Sequence, residues 1–146
     1  MTPEYAMARA LELSFKALPA CRPNPPVGCV ILNVAGEIVA SGYTQPPGEH
    51  HAEAQALAAF EGPLGDCHAY VTLEPCSFQG RTPSCAGALV ARGIGAVTVS
   101  IEDPDPRNSG QGIAILREAG IPVVVGTLAV EVSKFLMPYL IGAQEA

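Results

Sequence analysis

Three short clusters in this sequence hold the residue types that bind a metal and move protons. They are His51-Ala52-Glu53, Glu74-Pro75-Cys76 and Thr82-Pro83-Ser84-Cys85. A catalytic zinc takes three protein ligands and leaves one position for water. His51, Cys76 and Cys85 offer one imidazole and two thiolates, enough to balance the charge of Zn²⁺ at one ion per chain. Water in such a site ionises near neutral pH, at about 7 in well-tuned sites. Glu53 stands two residues from His51, near enough to reach that water without ligating. It can take the proton and pass it to a ring nitrogen and a departing amine. The implied reaction is hydrolysis at an amidine-like carbon with loss of ammonia.

Zinc deaminases of nucleobases combine His-x-Glu with Pro-Cys-x-x-Cys; here eight residues separate the two cysteines. Other readings of the same residues exist. A lone Cys is often a small buried hydrophobe, which fits Cys21, Cys29 and Cys67. A Cys76–Cys85 disulfide is the minor alternative for that pair. His50 could compete with His51 but lacks a Glu two residues on. His68 reads as a surface or loop residue. Glu74 reads as a hydrogen-bonding residue that holds the Cys76 loop. A non-catalytic zinc-binding interaction module is the alternative of another class; it would need a fourth closing ligand and would have no use for Glu53.

These clusters need elements to carry them. Thr2 as cap and Pro3 at the first helical position start a helix predicted over residues 3–18. Arg22-Pro23-Asn24-Pro25-Pro26 must be a loop. Strands are predicted over 27–33 and 37–43, joined by a hairpin turn at 33–36. Helices follow at 51–60, 83–92, 110–119 and 129–141, and strands at 69–73, 96–100 and 122–125. Thr82 is the expected cap of the third helix, with Cys85 in its first turn, where a thiol pKa is lowered. Strands alternating with helices make a central sheet covered on both faces, a three-layer α/β/α sandwich. The opening hairpin makes its five-stranded sheet mixed. Active sites in such sheets lie where strands feed helix N-termini.

The 146 residues are read as one domain, 1–146, and 49% of them are hydrophobic. No apolar run approaches the ~20 residues that cross a bilayer, and the N-terminus has no signal-like segment. A cytoplasmic location is expected, and five cysteines without a signal segment disfavour a disulfide framework. Eight basic residues, scattered against fourteen acidic ones, leave a net charge of −6. Polymeric nucleic acid is therefore not the expected partner, because it demands phosphate-neutralising charge. A small heterocyclic amine fits better. The apolar content leaves room for a homo-oligomeric interface. No further domain is expected after Ala146, and Gly110-Gln111-Gly112 is too weak a signal to suggest a nicotinamide cofactor.

At the motif residues the chain resembles the deaminase domain of the riboflavin-biosynthesis deaminase–reductases. The matching stretches are Asn24-Pro25-Pro26-Val27-Gly28-Cys29-Val30, His51-Ala52-Glu53 and Tyr70-Val71-Thr72-Leu73-Glu74-Pro75-Cys76-Ser77. They continue through Gly80-Arg81-Thr82-Pro83-Ser84-Cys85, Asp103-Pro104-Asp105-Pro106 and Gly110-Gln111-Gly112. The resemblance covers nearly the whole chain, and the long spacing between the cysteines is typical of that group. It implies a cytidine-deaminase-like fold, one zinc, and a diaminopyrimidine substrate carrying ribose phosphate. It further implies His51, Cys76 and Cys85 as zinc ligands, Glu53 as proton shuttle, Asn24 against the heterocycle and Arg81 near the phosphate.

Departures from that pattern fall where the family holds the ribose phosphate. Phe78 and Thr44 stand where the family usually has His. Asp105 replaces an Asn after Asp103-Pro104, and Asn108-Ser109 replace Val-Ala before Gly110. Donors are lost and an anion is added, which would repel a phosphate, while Phe78 could stack on an aromatic ring. Two expectations follow. Either the substrate has moved to a non-phosphorylated pyrimidine, pterin or purine-like amine, or the changes are tolerated and the phosphorylated riboflavin intermediate is still used. A nucleoside or tRNA-adenosine deaminase is the runner-up enzyme; the tRNA version would need the shorter cysteine spacing and a basic surface.

Overall fold

The structure, a computed structural model, describes residues 1–78 and 84–140. Helix α1 spans Pro3–Phe15, and strands β1 and β2 span Gly28–Leu32 and Ile38–Tyr43. Then come α2 (Ala52–Ala58), β3 (His68–Leu73), α3 (Cys85–Ala91), β4 (Ala96–Ile101), α4 (Gln111–Glu118), β5 (Val123–Val125) and α5 (Ala129–Leu136). The predicted element order holds throughout, and boundaries shift by a few residues.

The largest shifts have local causes. Thr2 does cap α1, accepting from the Tyr5 N–H at 3.1 Å. The helix ends at Phe15 rather than residue 18, because Ala17 and Leu18 already bond three residues back, to Ser14 and Phe15. Pro19 follows and disfavours helical backbone at Leu18. At the other end, α5 gives way to a single 3-10 turn, Met137–Tyr139, since Pro138 has no N–H to continue an α-helix. In the hairpin, Asn33 Oδ1 accepts from Ala35 and Glu37, and Gly36 supplies the positive φ of 82°.

The sheet order is β2-β1-β3-β4-β5. β1 runs antiparallel to both β2 and β3, and β3, β4 and β5 are parallel. All five residues of β1 are buried, as a strand covered on both faces requires. Val30, Leu32 and Tyr70 pack under Ala6, Met7 and Ala10 of α1. Cys29, Ile31, Ala69, Val71, Val97 and Val99 build the larger core with Ala56 of α2, Leu89 of α3 and Leu116 of α4. The Phe15 ring meets Phe135 edge-on at 4.7 Å, so α1 and α5 share a layer. The result is the expected three-layer sandwich.

Two glycines let helices approach the sheet rim closely enough to serve a site there. A Cβ on Gly42 of β2 would lie 2.3 Å from the Ala52 carbonyl, so α2 docks directly on the strand. A Cβ on Gly112 of α4 would lie 1.8 Å from the Pro75 carbonyl, beside Cys76.

Candidate metal centre and its cavity

The end of β2, the start of β1 and the ends of β3 and β4 meet on one rim of the sheet. His51 is the N-cap of α2. Cys76 follows β3 by three residues, and Cys85 is the first residue of α3. Their ligand atoms all lie within 4.8 Å of one another. His51 Nδ1 is 3.4 Å from Cys85 Sγ and 4.0 Å from Cys76 Sγ. A tetrahedral zinc with ordinary bond lengths holds S and N ligands about 3.5 Å apart, so these side chains fit one ion. The donor set of one imidazole and two sulfurs is what zinc prefers. All five cysteines are free.

The helix cap differs from expectation. Ser84, rather than Thr82, caps α3 by accepting from the Gly87 N–H at 3.0 Å. The free N–H groups at this helix start also turn toward Cys76. The Cys85 N–H donates to Cys76 Sγ at 3.3 Å, and the Ala86 N–H donates to the Cys76 carbonyl at 3.1 Å. The lowered thiol is consequently Cys76. A hydrogen bond from the Cys85 thiol, joined by bonds from His51 and the Cys85 backbone, brings it down to about 4. Cys85, donating to Cys76 and buried beside Glu53, is pushed up instead. The proton these sulfurs share is the one a divalent cation displaces, since ligating thiols are deprotonated. The hydrogen bond with Cys76 raises His51.

Glu53 lies in the first turn of α2 and is 5% exposed. Burial raises its carboxyl to about 7, with the Cys76 charge adding to the effect and its own backbone N–H opposing it. A carboxyl poised there can both accept and release a proton at neutral pH. Burial also raises the neighbouring Cys29 thiol, which stays neutral.

A cavity of about 360 Å³ opens over these groups. Asn24, Thr44, His51, Glu53, Cys76, Phe78, Asp103 and Asp105 all line it, so every described residue expected to touch substrate faces one space. Cys85 closes the metal group from the side of a second depression that His51, Cys76 and Phe78 share. Arg81, like Thr82 and Pro83, lies outside the described residues.

Several side chains do something other than sequence suggests. The Thr44 hydroxyl accepts from the Val27 N–H and donates to the Pro25 carbonyl, both at 3.0 Å, which pins the Asn24 loop over the cavity. The added anion at Asp105 is not free. Its carboxylate binds Arg107 at 2.6 Å, and those bonds hold it below the ordinary carboxylate range. Glu74 holds the Cys76 loop as expected, from its first residue and through remote partners. Its carboxylate accepts from Asp103, Gly110 and Ile113 backbone N–H groups at 3.1, 3.0 and 3.0 Å, fastening the loop after β4 and the start of α4. His68 is no loop residue; it opens β3, stacks on Tyr70 and bonds Thr98 Oγ1 at 2.7 Å. Arg107 and Tyr139 were missed and line the cavity too. Arg107 was legible in principle, two residues from Asp105, whereas Tyr139 arrives only by the docking of α5.

Comparison with known proteins agrees with this geometry. Residues 1–101 match the family described as the cytidine and deoxycytidylate deaminase zinc-binding region. The chain is 46% identical over 140 residues to the riboflavin biosynthesis protein RibD of Escherichia coli, a match covering 96% of this chain and 38% of that protein. It is 40% identical over 135 residues to the diaminohydroxyphosphoribosylamino-pyrimidine deaminase of Buchnera aphidicola, covering 92% of this chain and 91% of that one. The solved structure of the Thermotoga maritima diaminohydroxyphosphoribosylaminopyrimidine deaminase/5-amino-6-(5-phosphoribosylamino)uracil reductase superposes with a TM-score of 0.88 at 38% identity, covering 94% of this chain and 40% of that one. Acinetobacter baumannii RibD gives 0.85 at 42%, covering 91% and 37%. The chain spans between 35% and 42% of the length of the RibD proteins of Escherichia coli, Actinobacillus pleuropneumoniae, Chlamydia pneumoniae, Haemophilus influenzae and Corynebacterium ammoniagenes. With its His/Cys/Cys group for one zinc, this chain belongs to the cytidine and deoxycytidylate deaminase family of zinc-dependent hydrolytic deaminases.

Proposed function

We propose that this chain hydrolyses the exocyclic amine of a diaminopyrimidine carrying ribose phosphate, the substrate class named for its relative from Buchnera aphidicola. The observation that carries the reading is the buried Glu53 carboxyl, raised to about 7, in one cavity with His51, Cys76 and the oriented Arg107. His51, Cys76 and Cys85 hold the zinc, which when bound supplies the Lewis acidity that brings water toward a pKa of about 7. Glu53 takes a proton from the attacking water and passes it to the ring nitrogen beside the reacting carbon. It then takes the remaining proton from the added hydroxyl and delivers it to the amine, so that the C–N bond breaks, ammonia leaves and the carbon keeps the oxygen as a carbonyl. Asn24, one of the residues that line the cavity, contacts the heterocycle. Asp103 faces the ribose, with Thr44 holding the Asn24 loop in place.

The phosphate end lies at the mouth, with Phe78, Asp105 and Arg107. Arg107 offsets the Asp105 charge, so the repulsion expected from sequence is cancelled there. Arg81 remains a candidate phosphate contact. Turnover of the phosphoribosyl diaminopyrimidine should exceed that of its dephosphorylated form in kcat/KM. The reverse order would assign the enzyme to a non-phosphorylated pyrimidine, pterin or purine-like amine.

Residues 1–146 act as one domain on a small molecule in the cytoplasm. Among the described residues no helix is long and apolar enough to cross a membrane, and the net charge of −6 supports a partner other than nucleic acid. Exposed Val124, Val125 and Val130, on β5 and α5, support self-association into a homo-oligomer, which light scattering on the purified protein would check.

A further inference from the structure

We propose that Asn108 is a positioning residue for the metal ligand Cys76. Asn108 is 1% exposed. Its Oδ1 accepts from the Ser77 N–H at 3.0 Å, and its Nδ2 donates to the Pro75 carbonyl at 3.4 Å. One side-chain amide thus grips the backbone on both sides of Cys76. The same Nδ2 donates to Asp103 Oδ2 at 3.2 Å, a carboxylate that lines the cavity. Only a carboxamide offers an acceptor and two donors on one short planar group, and this one uses all three. Its own backbone is held too, with its N–H on the Asp105 carbonyl at 2.9 Å and its carbonyl taking the Gln111 N–H at 2.6 Å.

The consequence follows from the place of Cys76. It lies in irregular backbone after β3, where its own carbonyl is held by the Ala86 N–H but the residues on either side are in no strand or helix ladder. Asn108 restrains those flanking residues and couples them to Asp103, so one side chain helps to set both the sulfur that grips the metal and a carboxylate lining the cavity. Partners of this kind, one step removed from a ligand, typically change metal affinity or activity by about 10- to 100-fold when lost.

The inference rests on Cys76 being a zinc ligand, and the experiment separates the two claims. Zinc affinity is measured by competition with a chromogenic chelator, and the thiolate-to-metal band is recorded after loading with cobalt(II). Asn108→Val removes the carboxamide and with it all three polar contacts. It should bind zinc about 10- to 100-fold more weakly and shift the cobalt band. Asn108→Asp keeps the acceptor for Ser77 but turns a carboxylate toward Pro75 and Asp103, and should move both readouts the same way even if the Val variant fails to fold. Zinc affinity and cobalt band equal to wild type in a folded Asn108 variant, with loss of thermal stability alone, would overturn the proposal. Cys76→Ser is the control. Weakened zinc there beside unchanged zinc in Asn108→Val defeats this proposal only, whereas unchanged zinc in Cys76→Ser defeats the ligand set itself.

Discussion

Arg107 and Asp105 form a tight pair at the edge of the cavity that His51 and Cys76 line, Nη2 to Oδ2 at 2.6 Å, with Nε also bonded to the carboxylate. The guanidinium sits 5.4 Å from the centre of the Phe78 ring. The pair orients a cation that would otherwise swing freely, since the Arg107 side chain is 66% exposed. Arg107→Ala should raise KM for the phosphorylated substrate roughly tenfold, about the worth of one charge-assisted bond screened by solvent. It should leave kcat near wild type and leave KM for the dephosphorylated compound unchanged. Equal losses on both compounds would show that Arg107 only shapes the loop.

Glu53 is the residue whose loss should separate chemistry from metal binding. Glu53→Gln keeps the size of the side chain and removes its ability to carry a proton. A fall in kcat of about 10²- to 10⁴-fold is expected, with one zinc per chain still found by elemental analysis. Loss of zinc in step with activity would mean that Glu53 serves the metal rather than the proton.

Gly112 should tolerate no side chain. Its Cβ would fall 1.8 Å from the Pro75 carbonyl, a backbone atom that cannot rotate away. Gly112→Ala should cost roughly 1–3 kcal/mol or more in urea denaturation, and the displaced Pro75–Cys76 stretch should weaken zinc. A Cβ on Gly65 meets nothing within 4 Å, so Gly65→Ala should stay within about 0.5 kcal/mol of wild type. Equal behaviour of the two variants would contradict the close docking of α4.

His68 gives the fold a pH dependence. Burial lowers its pKa from the ordinary value near 6.5. The unfolded chain therefore binds more protons in the window below 6.5, and stability falls as pH falls through the folded-state value. The contribution is complete above about 6.5. His68→Gln should flatten the urea midpoint between about pH 7 and 5 relative to wild type. Parallel curves for the two proteins would place the titration elsewhere.

Much of this site was legible before any coordinates. His51, Glu53, Cys76 and Cys85 carry their chemistry in their types and spacing, and Thr2-Pro3 and Asn33–Gly36 carry their local geometry in the next few residues. What the sequence did not give is the partner of a side chain where that partner is remote. Glu74 meets Gly110 and Ile113 across 36 and 39 residues, and His68 meets Thr98 across 30. Which helix start would lower which thiol depended on Cys76 and α3 lying side by side.

The sequence by itself determined the element order, the mixed sheet and the metal-binding residue types, because these depend on local propensity and on chemistry that each side chain brings with it. The tertiary structure alone decided that Asp105 is neutralised by Arg107, that Thr44 spends its hydroxyl on the Asn24 loop, and that Asn108 clasps the backbone around Cys76. Those outcomes depend on distances across loops, and hydrogen bonds form only within about 3.5 Å, a proximity that folding creates and composition does not encode.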